Sequence, residues 1–168
     1  LAEHLGVRGV QNFVFRDAVN QLQANTGRYL DVLSDGALQL HLSMDGERVV
    51  KRATARAADG TFRDRSLSQL SGGQWRRSSL ALELAFAELA RQRSRFCCNI
   101  LVLDEVLSQL DSYGRARVAA MLRALTHGRT TDDEQSGLAG PQAIYSTILD
   151  LPAEELQESF DRIDQVVK

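Results

Sequence analysis

Leu70-Ser71-Gly72-Gly73-Gln74 stands immediately ahead of a stretch with helical periodicity, and the rest of the chain can be ordered around it. By average composition this string arises by chance on the order of once per million positions. Two adjacent glycines let a backbone approach an anion closely, and Ser71 adds a hydroxyl. The helix that follows contributes free N–H groups and the positive end of its dipole. Together these properties suit a phosphate. A glycine-rich helix cap that binds nothing is the alternative, and the segments downstream weigh against it.

Working outward, Ile100-Leu101-Val102-Leu103-Asp104-Glu105 is an apolar run ending in paired carboxylates. Such a run reads as a parallel strand buried on both faces, with its acids at the C-terminal edge of the sheet, where nucleotide sites form. Asp104 is the candidate Mg²⁺ ligand, through water, and Glu105 the group that orients and deprotonates an attacking water. Ser108-Gln109-Leu110-Asp111 follows, ahead of a further helix expected over about 112–125. Alone, Asp111 would be an ordinary helix cap.

In this order the segments resemble an ABC-type ATPase head. Leu70–Gln74 is similar to the signature motif, Ile100–Glu105 to Walker B, and Ser108–Asp111 to the D-loop. The resemblance implies an α/β fold: the C-terminal lobe of a P-loop ABC ATPase head, with a mostly parallel sheet, flanking helices and a β-hairpin, spanning residues 1–168. It also implies that two heads sandwich ATP and Mg²⁺. Ser71, Gly72, Gly73 and Gln74 of one head would then reach the γ-phosphate held by the other, and Asp111 would cross the dimer axis.

Within the superfamily the chain looks most like the SMC-like branch that includes SbcC and RecN. The spacer between signature and Walker B is long, and the helix after the signature is rich in Ala and Leu. Upstream, Gly9–Phe15, Asp17-Ala18-Val19, Tyr29-Leu30 and Leu33-Ser34-Asp35-Gly36 resemble the segment after the returning coiled coil of SbcC-type heads. That branch implies action on DNA in repair or chromosome maintenance, a second head as homodimer partner, and a nuclease partner. It implies an intracellular site of action: nucleus, nucleoid or a DNA-containing organelle.

The chain departs from the family pattern twice. No G-x-x-x-x-G-K-[ST] phosphate loop occurs, so a separate N-terminal Walker A half is the expected partner, and the chain reads as a C-terminal fragment. The switch histidine is the second departure. Ala143–Ile148 aligns with the strand that carries it and places Thr147 there. A threonine hydroxyl can hydrogen-bond a phosphate or a water, but it does not take up charge near neutral pH. His127 reads as a helix C-terminal residue rather than a substitute.

The remaining segments supply the frame. Val10, Phe13, Val14, Ala18, Leu22, Tyr29, Leu30 and Leu33 fall at helical spacing, with Gly27 as a weak point. Leu38, Leu40 and Leu42 alternate with Gln39, His41 and Ser43 as a half-buried strand, and Asp45-Gly46 signals a hairpin returning at Val49-Val50. The basic stretch Lys51–Arg65 carries little apolar pattern. It reads as a solvated hairpin face, with a DNA-backbone contact as the alternative. In the helix after the signature, Leu80, Leu84, Ala87 and Leu89 form the apolar side, Glu88 lies elsewhere, and Trp75 is expected to bury the helix start. Residues 127–141 read as a mobile loop. A helix is expected from Ala153 and a strand over 164–168.

Composition narrows the class. The chain has 168 residues, 43% hydrophobic and 25% charged, with formal net charge −2, which fits one globular domain and not a generally basic nucleic-acid binder. No apolar run is long enough to span a bilayer, so no membrane partner is expected. Cys97 and Cys98 are adjacent, which suits neither a disulfide framework nor a metal site, and points to a reducing compartment. Two rival functions remain at this point. One is an ABC transporter nucleotide-binding subunit, which should carry a helical insertion ahead of the signature. The other is a non-catalytic interaction module.

Overall fold

The structure, a computed structural model, describes residues 7–46, 48–94, 100–127, 143–148, 157 and 160–164. It divides into two compact units, Leu1–Arg93 and Ser94–Lys168.

The first unit opens with α1 (Val7–Ser34), which runs through Gly27 without interruption. Its end is set by backbone conformation. Asp35 and Gly36 both take positive φ, 57° and 64°, and the Gly36 and Ala37 N–H groups return to the carbonyls of Asp31 and Ser34, closing the helix as αL caps do. Strand β1 (Leu38–Asp45) follows with the expected alternation: Leu38, Leu40 and Leu42 are buried and Gln39, His41 and Ser43 are exposed. It turns at Gly46 into β2 (Arg48–Arg56), antiparallel from Leu38↔Ala55 to Asp45↔Arg48.

Beyond Lys51 the structure corrects the sequence reading. β2 continues to Arg56, and a third strand, β3 (Phe62–Arg65), pairs with it antiparallel from Ala53↔Arg65 to Arg56↔Phe62. Here the expected hairpin is part of a three-stranded sheet in the order β1-β2-β3. The free edge of β1 is partly bonded by α1. The side-chain amide of Gln23 donates to Leu40 O (2.9 Å) and accepts from the Leu42 N–H, two of the bonds that an added strand would otherwise make.

A short 3₁₀ turn, Leu67–Gln69, leads into α2 (Gly72–Arg93). The core between α1, α2 and β1 holds Leu30, Leu33, Leu38, Leu40, Leu80, Ala81, Leu84, Ala85 and Leu89. Two expectations about the helices fail. In α2, Glu88 is buried and Ala87 is exposed. In α1, Phe13 is 74% exposed, and Val10 and Val14 are exposed with it, so the apolar stripe is covered only from Val19 onward among the described residues.

The second unit consists of β4 (Ile100–Asp104), α3 (Ser112–His127) and β5 (Ala143–Thr147). β4 and β5 are parallel, in register from Ile100↔Ala143 to Asp104↔Thr147. Leu103, Val106, Leu107 and Leu110 form its core with Val118, Ala119, Met121 and Leu122 of α3. The expectation that β4 is buried on both faces does not hold among the described residues. Val102 is 69% and its register partner Tyr145 62% exposed, with Ile100 exposed beside them. Cys97, Cys98, residues 128–141, the helix from Ala153 and residues 165–168 lie outside the described residues. His127 closes α3.

Candidate functional site

The pentapeptide Leu70–Gln74, expected from the sequence to meet an anion, runs into the start of α2. Ser71 is the residue before the helix, and it and Gln74 bond reciprocally: Gln74 N–H donates to Ser71 Oγ (3.2 Å), and Ser71 N–H donates to Gln74 Oε1 (3.0 Å). This is a capping box, which the S-x-x-Q spacing encodes. The Trp75 N–H donates to Ser71 O at 2.8 Å, completing the first helical bond. Ser71 and Gly72 are exposed and Gly73 and Gln74 half-exposed, so the turn is accessible. Trp75, expected to bury the helix start, is instead 46% exposed. Arg77 folds back to Gly73 O, its Nε donating at 3.3 Å.

In the other unit, Asp104 ends β4 and Glu105 begins the turn after it. Parallel pairing puts Thr147 directly beside Asp104. The Thr147 hydroxyl donates to Asp104 Oδ1. The Glu105 N–H donates both to Thr147 O (3.0 Å) and to Thr147 Oγ1 (3.2 Å). Glu105 takes φ +48°, a region that costs a non-glycine residue about 1–2 kcal/mol. Asp104 and Thr147 are exposed and Glu105 half-exposed. Asp104 is one carboxylate at an accessible strand end. That suits Mg²⁺, which takes one or two carboxylates with substrate phosphates and waters rather than an all-protein cage.

Leu107 and Leu110 anchor the next turn in the core, and Gln109 between them has φ +61°. Asp111 then caps α3: Gly114 N–H donates to Asp111 Oδ1 (2.8 Å) and Arg115 N–H to Asp111 O (2.9 Å). Asp104, Glu105 and Thr147 are thus brought together, Asp111 lies one turn further along the same unit, and Ser71–Gln74 belong to the first unit.

The basic stretch is sorted by strand geometry. Arg48, Arg52 and Arg56 point away from the core-facing Ala53 and Ala55, at every fourth position of β2, about 13 Å apart. The guanidinium of Arg56 lies 5.3 Å from the Phe62 ring centre, and Arg63 pairs with Asp59 at 2.7 Å.

One polar cluster escaped the sequence reading. The buried Glu88 carboxylate accepts from Arg28 Nη2 at 3.0 and 3.1 Å and from Gln92 Nε2 at 3.1 Å. Burial, reinforced by the neighbouring Glu88 charge and a hydrogen bond to it, pushes the Tyr29 hydroxyl up to about 12. The only signal for this cluster was the position of Glu88, one residue from Leu89 and four from Leu84, inside the apolar arc.

No protein-family profile matches the sequence, and no curated protein matches it significantly. Solved structures do. A structure from work on ATP-driven dimerization and DNA-stimulated activation of SMC ATPases is 16% identical, with TM-score 0.63, covering 92% of this chain and 81% of that one. The SmcHead bound to the C-winged helix domain of ScpA is also 16% identical, with TM-score 0.58, covering 86% of this chain and 39% of that one. The chain therefore has the fold of an SMC ATPase head, of which it spans only part in the second case.

Proposed function

We propose that the chain is the signature-bearing lobe of an SMC-like ATPase of the SbcC branch, hydrolysing ATP between two heads and acting on DNA. The observation that carries this reading is the Asp104-Glu105 pair at the C-terminal end of a parallel strand, in a fold shared with SMC heads. Asp104 would hold Mg²⁺ together with the ATP phosphates, and Glu105 would orient and deprotonate the attacking water. The accessible turn at Ser71, Gly72, Gly73 and Gln74 would contact the γ-phosphate bound by the opposite head, and Asp111 the dimer axis. Mg²⁺ would neutralise charge building on the transferred phosphoryl group.

The partners follow from what the chain lacks and exposes. A Walker A half is needed to cradle the phosphates, and the apolar face of Ile100, Val102 and Tyr145, exposed among the described residues, supports a lobe completed by it. The SmcHead neighbour binds ScpA; a kleisin or nuclease partner is proposed here by analogy alone. The Arg48-Arg52-Arg56 row is the proposed DNA-backbone contact. Such a protein would act wherever the cell keeps DNA: nucleus, nucleoid or organelle.

A non-catalytic interaction module is the second reading, favoured by Thr147 standing where the resemblance to the family expects the switch histidine. The transporter reading is not supported. An antiparallel sheet stands where a helical insertion is expected. The deciding experiment is ATP turnover by the chain joined to its Walker A half, with and without double-stranded DNA. Mg²⁺-dependent, DNA-stimulated turnover is expected, and ATP-dependent association without turnover would favour the module.

A further inference from the structure

We infer that Thr147 is a positioning residue whose hydroxyl ties the Asp104 carboxylate to the backbone of Glu105, holding the two acids in one fixed arrangement. What the acids then do rests on the ATPase reading above; the tie itself belongs to the folded chain. Parallel register supplies the juxtaposition, since Asp104 and Thr147 are partners at the ends of β4 and β5. Thr147 uses both capacities of its hydroxyl. The O–H donates to Asp104 Oδ1, and the oxygen accepts from the Glu105 N–H at 3.2 Å.

Each bond constrains a different acid. The charge-assisted bond to Oδ1 sets the rotation of the Asp104 carboxylate, which decides how its oxygens face a cation. The bonds from the Glu105 N–H hold that residue at φ +48°, and this backbone setting directs where its side chain leaves the chain. A β-branched residue suits the task because its χ1 is stiff. Chemistry also separates threonine from the expected histidine. A hydroxyl donates and accepts from one atom and stays uncharged near neutral pH, whereas an imidazole divides those roles between two nitrogens and titrates there. On this geometry Thr147 acts on the acids rather than on phosphate.

The test compares Thr147→Val, nearly equal in volume but without the hydroxyl, with Thr147→Ser, which keeps it. The first readout is amide exchange at Glu105 in the nucleotide-free 168-residue chain, referenced to Leu122 in α3. Valine removes the 3.2 Å arm of the Glu105 N–H bond and leaves the 3.0 Å arm to Thr147 O, so Glu105 exchange should speed about twofold, and serine should stay near the parent. The second readout is the Mn²⁺ concentration that half-saturates ATP turnover in the chain joined to its Walker A half. It should rise about 10–100-fold in Thr147→Val and recover in Thr147→Ser. Unchanged exchange at Glu105 in Thr147→Val, acceleration shared equally by Leu122, or a serine variant no better than valine would each overturn the inference. Absent turnover in the parent protein would instead sink the ATPase reading, leaving exchange to judge the tie.

Discussion

Ser71 and Gln74 cap each other: each accepts a hydrogen bond from the other's backbone N–H, at 3.2 and 3.0 Å. The residues proposed to meet a γ-phosphate therefore also start helix α2. Any substitution there mixes a folding effect with a binding effect unless the variant is chosen to separate them.

Glycine separates them. As a helix cap it costs only a few tenths of a kcal/mol relative to serine, whereas alanine costs about 1 kcal/mol. Ser71→Gly should leave the denaturant midpoint almost unchanged yet weaken ATP-dependent head association. Ser71→Ala should lower both. Equal losses of association and stability in the two variants would mean that the serine acts only as a cap.

The Glu88 cluster gives a pH dependence. Tyr29 has its pKa raised from 10.0 to about 12, so the folded state holds a proton that the unfolded chain releases first. Stability is fully present below pH 10 and falls as pH rises toward about 12. Tyr29→Phe should flatten that decline in urea melts taken across the window. In the same cluster Arg28→Met should cost about 1–3 kcal/mol, because it strips a partner from a buried carboxylate. Glu88→Gln should cost less, since the amide is uncharged and still bonds.

Two glycines should respond differently to alanine. A methyl group at Gly27 meets nothing within 4 Å, so Gly27→Ala should stabilise α1 by about 0.5–1 kcal/mol. At Gly114 the added carbon would stand 2.8 Å from Asp111 Oδ1, the atom that caps α3. Gly114→Ala gains the same helix propensity but loses that cap, worth about 1 kcal/mol, so its net effect should lie near zero. Thermal melts of the two variants check the contrast.

The Arg48-Arg52-Arg56 row predicts a salt effect. If these side chains meet phosphates, replacing all three with alanine should weaken DNA binding similarly on unrelated sequences. The log–log salt slope should fall by about one for each phosphate no longer neutralised. An unchanged slope would leave the row as a solvated sheet face.

How much of this was legible depended on whether burial followed apolarity. Leu38, Leu40 and Leu42 declared β1 because one face of that strand meets the core and the other meets water. β3 was hidden because Phe62–Arg65 is exposed throughout and so has no alternation to read. Its turn, however, repeats the Asp-Gly signal of residues 45–46: Gly60 has φ +81°, and Asp59 Oδ1 accepts from Thr61 N–H at 2.9 Å. Glu88 was misplaced because periodicity sorts residues by polarity, whereas a carboxylate with an arginine and a glutamine beside it can be buried. At β4 the apolar run predicted two covered faces, but the described chain covers only the one bearing Leu103. Among the site residues, the apolar run placed Asp104 and Glu105 at one strand end and the family resemblance placed Thr147 at another, while the pairing of those two strands came from the structure. The reach of the Thr147 hydroxyl to both acids needed the register.

The central claim is that Glu105 activates water for ATP hydrolysis between two heads. Its most direct test is ATP turnover and ATP-dependent dimerisation of Glu105→Gln beside the parent, each joined to the Walker A half. Glutamine keeps the size and the left-handed backbone position but cannot take a proton. The account predicts that this variant binds ATP, forms a long-lived dimer and loses turnover by about 100-fold or more. Turnover equal to the parent, or a parent that neither binds ATP nor dimerises with it, would contradict the account.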